Sequence, residues 1–237
     1  MLAVSFDLDG LMFNTEEVYW QVGTELLGRR GREFTAELND AVMGSRPQAC
    51  FETIIRWHSL SDTWEELQAE SEELFLALLD EHLRPLPGLV ELLAALEAAG
   101  IPKAICTSSK RSIVEAILGR FEMEPRFRFA LTAEDVVQGK PHPEIYLKAA
   151  ARFGVEPRQM VVLEDSQNGC RSAAAAGSFV VAVPGCHSRT QDFSTASLVI
   201  EGLGDPRLYE ALGVGLGGER RGMRGKERGT SGSSQPN

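Results

Sequence analysis

Residues 2–10 read Leu-Ala-Val-Ser-Phe-Asp-Leu-Asp-Gly, and how that stretch is read decides the fold. A short β-rich apolar run, Leu2 to Phe6, stops at Asp7-Leu8-Asp9-Gly10. Runs of the same kind recur at Ile101 to Cys106, Phe127 to Leu131, Met160 to Leu163 and Phe179 to Val183. Amphipathic helical stretches lie between them, and that alternation argues for an α/β fold with a parallel sheet covered by helices. Between the first two runs, Leu89, Leu92, Leu93 and Leu96 recur at the three- and four-residue spacing of one buried helix face, and Gly100 is placed to end that helix.

The stretch from Thr15 to Leu83 breaks the rhythm. It carries three long helical patterns, all three tryptophans and no convincing strand, so it reads as a helical insertion. Within it Asp62 followed by Glu65 resembles a capping box, and Leu74, Leu78 and Leu79 extend an apolar stripe toward Leu83. Pro85, Pro87 and Gly88 mark the return to the sheet. The expected division is a core of 1–14 and 85–213, a helical insertion of 15–84, and a tail of 214–237. The tail is rich in Gly, Ser, Arg and Lys, too polar to offset the entropy of ordering, and reads as disordered. Its basic cluster, Arg220 to Arg228, reads as solvated rather than as a dock for an acidic partner.

Of the 237 residues 43% are hydrophobic and 24% charged, proportions of an ordinary globular chain that buries a sizeable core. The net charge of −10 offers nucleic acid or an anionic membrane surface nothing general to grip. Cys50, Cys106, Cys170 and Cys186 are scattered with no CxxC pair, and Cys106 and Cys170 read as buried thiols suited to a reducing cytoplasm. No apolar run approaches the roughly 18 residues of a membrane span, and the amino terminus lacks the pattern of a signal peptide.

Open α/β sheets bind ligands outside the carboxyl ends of their strands, so the residues after each apolar run carry the functional information. Those residues are Asp7 and Asp9 after the first, Thr107-Ser108-Ser109 after the second, and Glu164-Asp165-Ser166 after the fourth. Lys140 lies in a Gly-Lys-Pro-His-Pro turn that opens a helix. Taken singly, each has a bland reading: a turn, a strand-end cap, a surface lysine, a helix start. Jointly they place carboxylates, a hydroxyl and a lysine at one edge, which is a catalytic constellation. Crowded carboxylates repel unless a cation neutralises them, and an all-oxygen set favours Mg²⁺ over Zn²⁺.

These motifs closely resemble those of the haloacid dehalogenase superfamily, in its phosphatase and beta-phosphoglucomutase-like branch with a helical cap. The resemblance spans about residues 2–200 and implies a Rossmann-like core with an inserted all-helical cap. It implies Asp7 as nucleophile, Asp9 as general acid/base, and Thr107 and Lys140 as the hydroxyl and lysine motifs. It implies Asp165 as a direct metal ligand with the Asp7 carboxylate and the Asp9 backbone carbonyl, Glu164 completing the acidic pair. The substrate-contacting set it implies is Thr107, Ser108, Ser109, Lys110, Lys140 and, in the Gly44-Ser45-Arg46 loop, Arg46. Both polar loops read equally well as solvated. At the hinge Asn14-Thr15-Glu16 replaces the family's commoner Asp-Ser-Glu or Asp-Thr-Glu.

The expected activity is Mg²⁺-dependent hydrolysis of a small phosphorylated metabolite, with sugar phosphates favoured. A phosphosugar mutase is the nearest rival, but mutases of that type carry a histidine just inside the cap, where this chain has Tyr19 and Trp20. His142, beside Lys140, reads as a loop residue. A dehalogenase has no use for Asp9 or the metal-binding pair, and a phospho-acceptor receiver module places its acidic pair near the start and lacks the cap. The oligomeric state is not legible.

Overall fold

The structure is a computed structural model that describes residues 1–42, 47–186 and 188–215. From the amino terminus the chain forms β1 (Ala3–Phe6) and then four helices in succession: α1 (Thr15–Gly28), α2 (Ala36–Val42), α3 (Pro47–His58) and α4 (Trp64–His82). It continues through α5 (Leu89–Ala98), β2 (Lys103–Cys106), α6 (Arg111–Arg120), β3 (Ala130–Leu131), α7 (Glu144–Phe153) and β4 (Met160–Glu164). The last elements are α8 (Gln167–Ala175), β5 (Phe179–Ala182), β6 (Leu198–Val199) and α9 (Pro206–Leu212). The strands form one sheet in the order β3-β2-β1-β4-β5-β6, and every pairing is parallel. This is the expected Rossmann-like α/β sheet.

The apolar runs become strands because both faces of the sheet are covered. Successive side chains point to opposite faces, so Val4 and Phe6 enter one core and Ala3 the other. The first core receives Leu89, Leu92, Leu93 and Leu96 of α5, each fully buried, and burying a leucine contributes about 2 kcal/mol. It continues into the helical segment through Val18, Leu26, Leu67 and Phe75. The second core packs Ile145, Tyr146 and Ala149 of α7 and Cys170 and Ala173 of α8. β1 pairs with β2 on one side and β4 on the other, so the chain reverses its direction of growth beside β1. The carboxyl ends of these three strands therefore open onto the crevice where such sheets bind ligands.

The junction between helices and sheet is tied by Asn14. Its carboxamide oxygen accepts from the Arg84 N–H (2.6 Å), while its NH₂ donates to the His82 carbonyl (3.1 Å) and to Glu17 (2.6 Å). An aspartate could accept but not donate here, so the hinge departure in the sequence has a bonding consequence.

The structure corrects several expectations. Among the described residues the helical stretch holds a short helix, α2, besides three long ones. The capping box of α4 is Thr63 with Glu66, one residue later than Asp62 with Glu65, because Asp62 is taken by Arg30 (2.7 Å). β2 and β3 are shorter than their apolar runs, and β6 was not anticipated: two residues long, it is too brief to show periodicity. Arg46 with the Gly44-Ser45 loop, and the basic cluster Arg220 to Arg228, lie outside the described residues. Val214, placed in the expected tail, is buried. No helix among the described residues is long and apolar enough to cross a membrane.

Candidate active site

The strand ends bring the expected residues together. Asp7 follows β1, its backbone N–H donating to the Leu163 carbonyl (3.0 Å), and Thr107 follows β2, its N–H donating to Leu131 (3.0 Å). Glu164 ends β4 and Asp165 comes next. Lys140, from the turn before α7, reaches in under these ends. Its ammonium donates to Asp7 Oδ1 (2.5 Å), Glu164 Oε1 (2.5 Å) and the Cys106 carbonyl (2.9 Å).

Glu164 is fully buried and fully engaged. Oε1 accepts from Lys140 and from the buried Tyr146 hydroxyl, and Oε2 accepts from Ser166 Oγ (3.1 Å). A side chain at Gly169 on α8 would have a Cβ only 1.9 Å from the Glu164 carboxyl carbon, so the helix can sit here only with glycine at that position. Gly10 meets the same need at Asp165: a Cβ there would lie 2.3 Å from Asp165 Oδ2, and its φ of +69° also favours glycine.

Asp9 is held differently. Its Oδ2 accepts from Ser109 Oγ (2.6 Å) and Thr107 Oγ1 (3.1 Å), while its Oδ1 is buried with no hydrogen-bond partner. Two hydroxyls thus fix the orientation of one carboxylate whose second oxygen is bare.

Asp7, Glu164 and Asp165 each offer a carboxylate oxygen within 4.8 Å of the others. Three buried carboxylates face one ammonium, and the imbalance shows in Asp7, Asp165 and Lys140. Burial pushes Asp7 up to about 8; Lys140 pulls against this, and Glu164 and Asp9 add to it. Burial, Asp7 and Glu164 raise Asp165 well above the carboxylate range. Burial works to lower the Lys140 ammonium, but Asp7 and Glu164 outweigh it and hold it above its ordinary value. A site with this surplus of negative charge and all-oxygen donors fits a hard metal cation. The Asp9 side chain stands outside the cluster, tied to the hydroxyls.

A cavity of about 1010 Å³ runs from these strand ends to the helical segment. Of the residues named from the sequence, Thr107, Ser108, Ser109, Lys110 and Lys140 line it, as do Glu16 of the hinge and Tyr19, and the described residues add Glu72, which the sequence did not single out. Lys110 points to Glu72 of α4 and forms an ion pair with it. Tyr146 was also missed: a lone tyrosine on the apolar face of a helix looks like core until the fold sets its hydroxyl against Glu164.

Residues 4–183 match the family described as haloacid dehalogenase-like hydrolase. The chain belongs to that family. As a haloacid dehalogenase-like hydrolase it is an enzyme, and several of its relatives carry names of phosphatases. It is 32% identical over 206 residues to the bifunctional riboflavin kinase/FMN phosphatase of Arabidopsis thaliana, covering 86% of this chain and, since that protein is longer, 54% of the relative. It is 32% identical to a probable pseudouridine-5'-phosphatase of Drosophila melanogaster, covering 84% of this chain and 89% of the relative. Among solved structures, that of CbbY from Rhodobacter sphaeroides in complex with phosphate matches with a TM-score of 0.76 at 27% identity, covering 86% of this chain and 96% of the other.

Proposed function

We propose that this enzyme is a phosphoric monoester hydrolase that transfers the phosphoryl group of a small phosphorylated metabolite, a sugar phosphate above all, to Asp7 and then to water. The observation that carries the proposal is the paired geometry of the two aspartates. Asp7 is clamped by Lys140, which lines the cavity, and Asp9 is held through one oxygen with the other bare.

In this reading Asp7 attacks phosphorus in line and forms an aspartyl-phosphate. Asp9 gives a proton to the leaving oxygen, and afterwards takes one from the water that releases phosphate. Thr107 and Ser109 keep Asp9 turned toward the reacting oxygen. Glu164, itself anchored by Tyr146 and Ser166, holds the Lys140 ammonium beside the transferring group, where it balances charge on the equatorial oxygens. Mg²⁺ is the proposed cofactor, with Asp7, Asp165 and the Asp9 backbone carbonyl as its protein ligands. When bound it screens the negative charge that otherwise keeps a carboxylate from a phosphoryl group. Helices α1–α4 act as a cap that covers the site and selects the leaving group. Four free cysteines suit a cytoplasmic setting.

Hydrolysis is favoured over mutase chemistry because Tyr19, packed on Phe75 (ring centroids 4.6 Å apart), occupies the cap entrance. No histidine is among the described residues lining the cavity. The test is phosphate release from a panel of sugar phosphates, nucleotides and phosphoglycolate, with Mg²⁺ and with chelator, for the native enzyme and Asp7→Asn. Turnover that survives in Asp7→Asn, or in excess chelator, overturns the proposal.

A further inference from the structure

The described lining of the cavity is poor in free positive charge. Among the described residues lining it the side-chain cations are Lys140, committed to Asp7 and Glu164, and Lys110. Lys110 caps α6 two strand-end residues beyond the Thr107-Ser108 pair, next to Ser109, whose hydroxyl holds Asp9. It is met from the helical segment by Glu72 of α4, which forms an ion pair with it and is itself steadied by Gln68 (2.8 Å). Both partners are about 40% exposed, 41% for Lys110 and 38% for Glu72, so the pair contributes little to stability. Its position gives it another consequence. Glu72, Lys110 and Tyr19 line the same cavity, and burial first, and then the Asp9 and Glu72 carboxylates, raise the Tyr19 hydroxyl.

Resting on the hydrolase reading above, we infer that Glu72 is a specificity-determining residue: by occupying Lys110 it excludes substrates with a second anionic group and selects phosphomonoesters whose leaving group is uncharged. A second phosphate directed at Lys110 must displace a carboxylate and then lie beside it. A hydroxylated leaving group meets the hydrogen-bonding groups of Gln68 and Ser71 and the Phe75 and Tyr19 rings at no such cost. The pair also bridges α4 to the loop after β2, so a ligand that broke it would loosen the cap as it bound.

The experiment measures inhibition of p-nitrophenyl phosphate hydrolysis by fructose 1-phosphate and by fructose 1,6-bisphosphate. The two share one phosphoryl end, so the ratio of their inhibition constants isolates the distal group and cancels any general loss of activity. The native enzyme binds the monophosphate better. In Glu72→Gln the ratio shifts toward the bisphosphate by about tenfold, as removal of one adjacent charge in a partly wet site implies. In the double variant Glu72→Gln with Lys110→Met the shift disappears, because the gain requires a freed ammonium. An unchanged ratio in Glu72→Gln overturns the inference, and so does a gain that persists without Lys110, which marks a general field effect. Failure of the native enzyme to hydrolyse any phosphomonoester instead overturns the hydrolase reading, and this one with it.

Discussion

Replacing Asp9 with asparagine separates a group that moves protons from one that merely completes a turn. The structure sets the expected cost. Asp9 Oδ2 accepts two hydroxyl hydrogen bonds, at 2.6 Å from Ser109 and 3.1 Å from Thr107, and the asparagine carbonyl oxygen can accept both. The side chain therefore stays in place. What changes is Oδ1, buried and unpartnered in the native site, which becomes an NH₂ that cannot serve as an acid or a base near neutral pH. With an alkyl phosphate both half-reactions need that proton, and turnover falls by roughly 10²–10⁴-fold, or about 3–5 kcal/mol of barrier. An aryl phosphate leaves without protonation, so its first step suffers much less. Rapid mixing of the variant with p-nitrophenyl phosphate then gives a burst of nitrophenol followed by a slow phase, and acid quenching traps phosphate on Asp7. Native-like phosphate release from alkyl phosphates by Asp9→Asn refutes the assignment, as does an aryl reaction slowed as much as the alkyl one.

The acidic cluster carries a pH signature. Asp7, pushed up to about 8 by burial with Glu164 and Asp9 adding, is protonated at neutral pH before a cation binds, so Mg²⁺ must displace a proton. Asp165 is raised as well, so apparent Mg²⁺ affinity rises with pH through the neutral range, by up to about tenfold per pH unit for each proton displaced, with proton release visible by calorimetry in buffers of different ionisation enthalpy. Affinity independent of pH between 6 and 8 contradicts this. Far from the site, Glu97 is held down at about 2, chiefly by Arg126 with Lys103 assisting against partial burial. Its folded value lies below its unfolded one, so its stabilisation is present above about pH 4.5 and fades as pH falls toward 2. Glu97→Gln costs about 2 kcal/mol at pH 7 in urea unfolding, allowing for solvent screening of a half-exposed carboxylate and for the buried Lys103 left unpaired. The gap to native shrinks by about a third at pH 3.5, and a gap that stays constant removes the ion pair as its cause.

Much of the architecture was legible along the chain because it depends on short-range pattern. The run Leu2–Phe6 with its stop at Asp7, the leucine face of α5 and the glycine that ends it are local signals, and each appears in the structure within a residue or two. The motif residues were equally legible, since the carboxyl end of a parallel strand is a fixed address: Asp7, Thr107, Glu164 and Lys140 converge because the sheet order brings β1, β2 and β4 side by side.

Which atom serves which partner was settled only by packing. Asp62 and Thr63 both head a pattern that suits a capping box, and α4 starts at the later one because Arg30, 32 residues away in sequence, claims Asp62. Thr107 and Ser109 both follow β2, but that their two hydroxyls close on Asp9 is a product of the fold. Glu164 read as one half of an acidic pair, yet Tyr146 and Lys140 consume its oxygen. Glu72 meets Lys110 across 38 residues with nothing in either local sequence to announce it. Periodicity records which face of an element is apolar, because that preference is a property of one segment. A hydrogen bond or ion pair between segments is a property of two, and its partners exist only once hydrophobic burial has fixed where each segment lies.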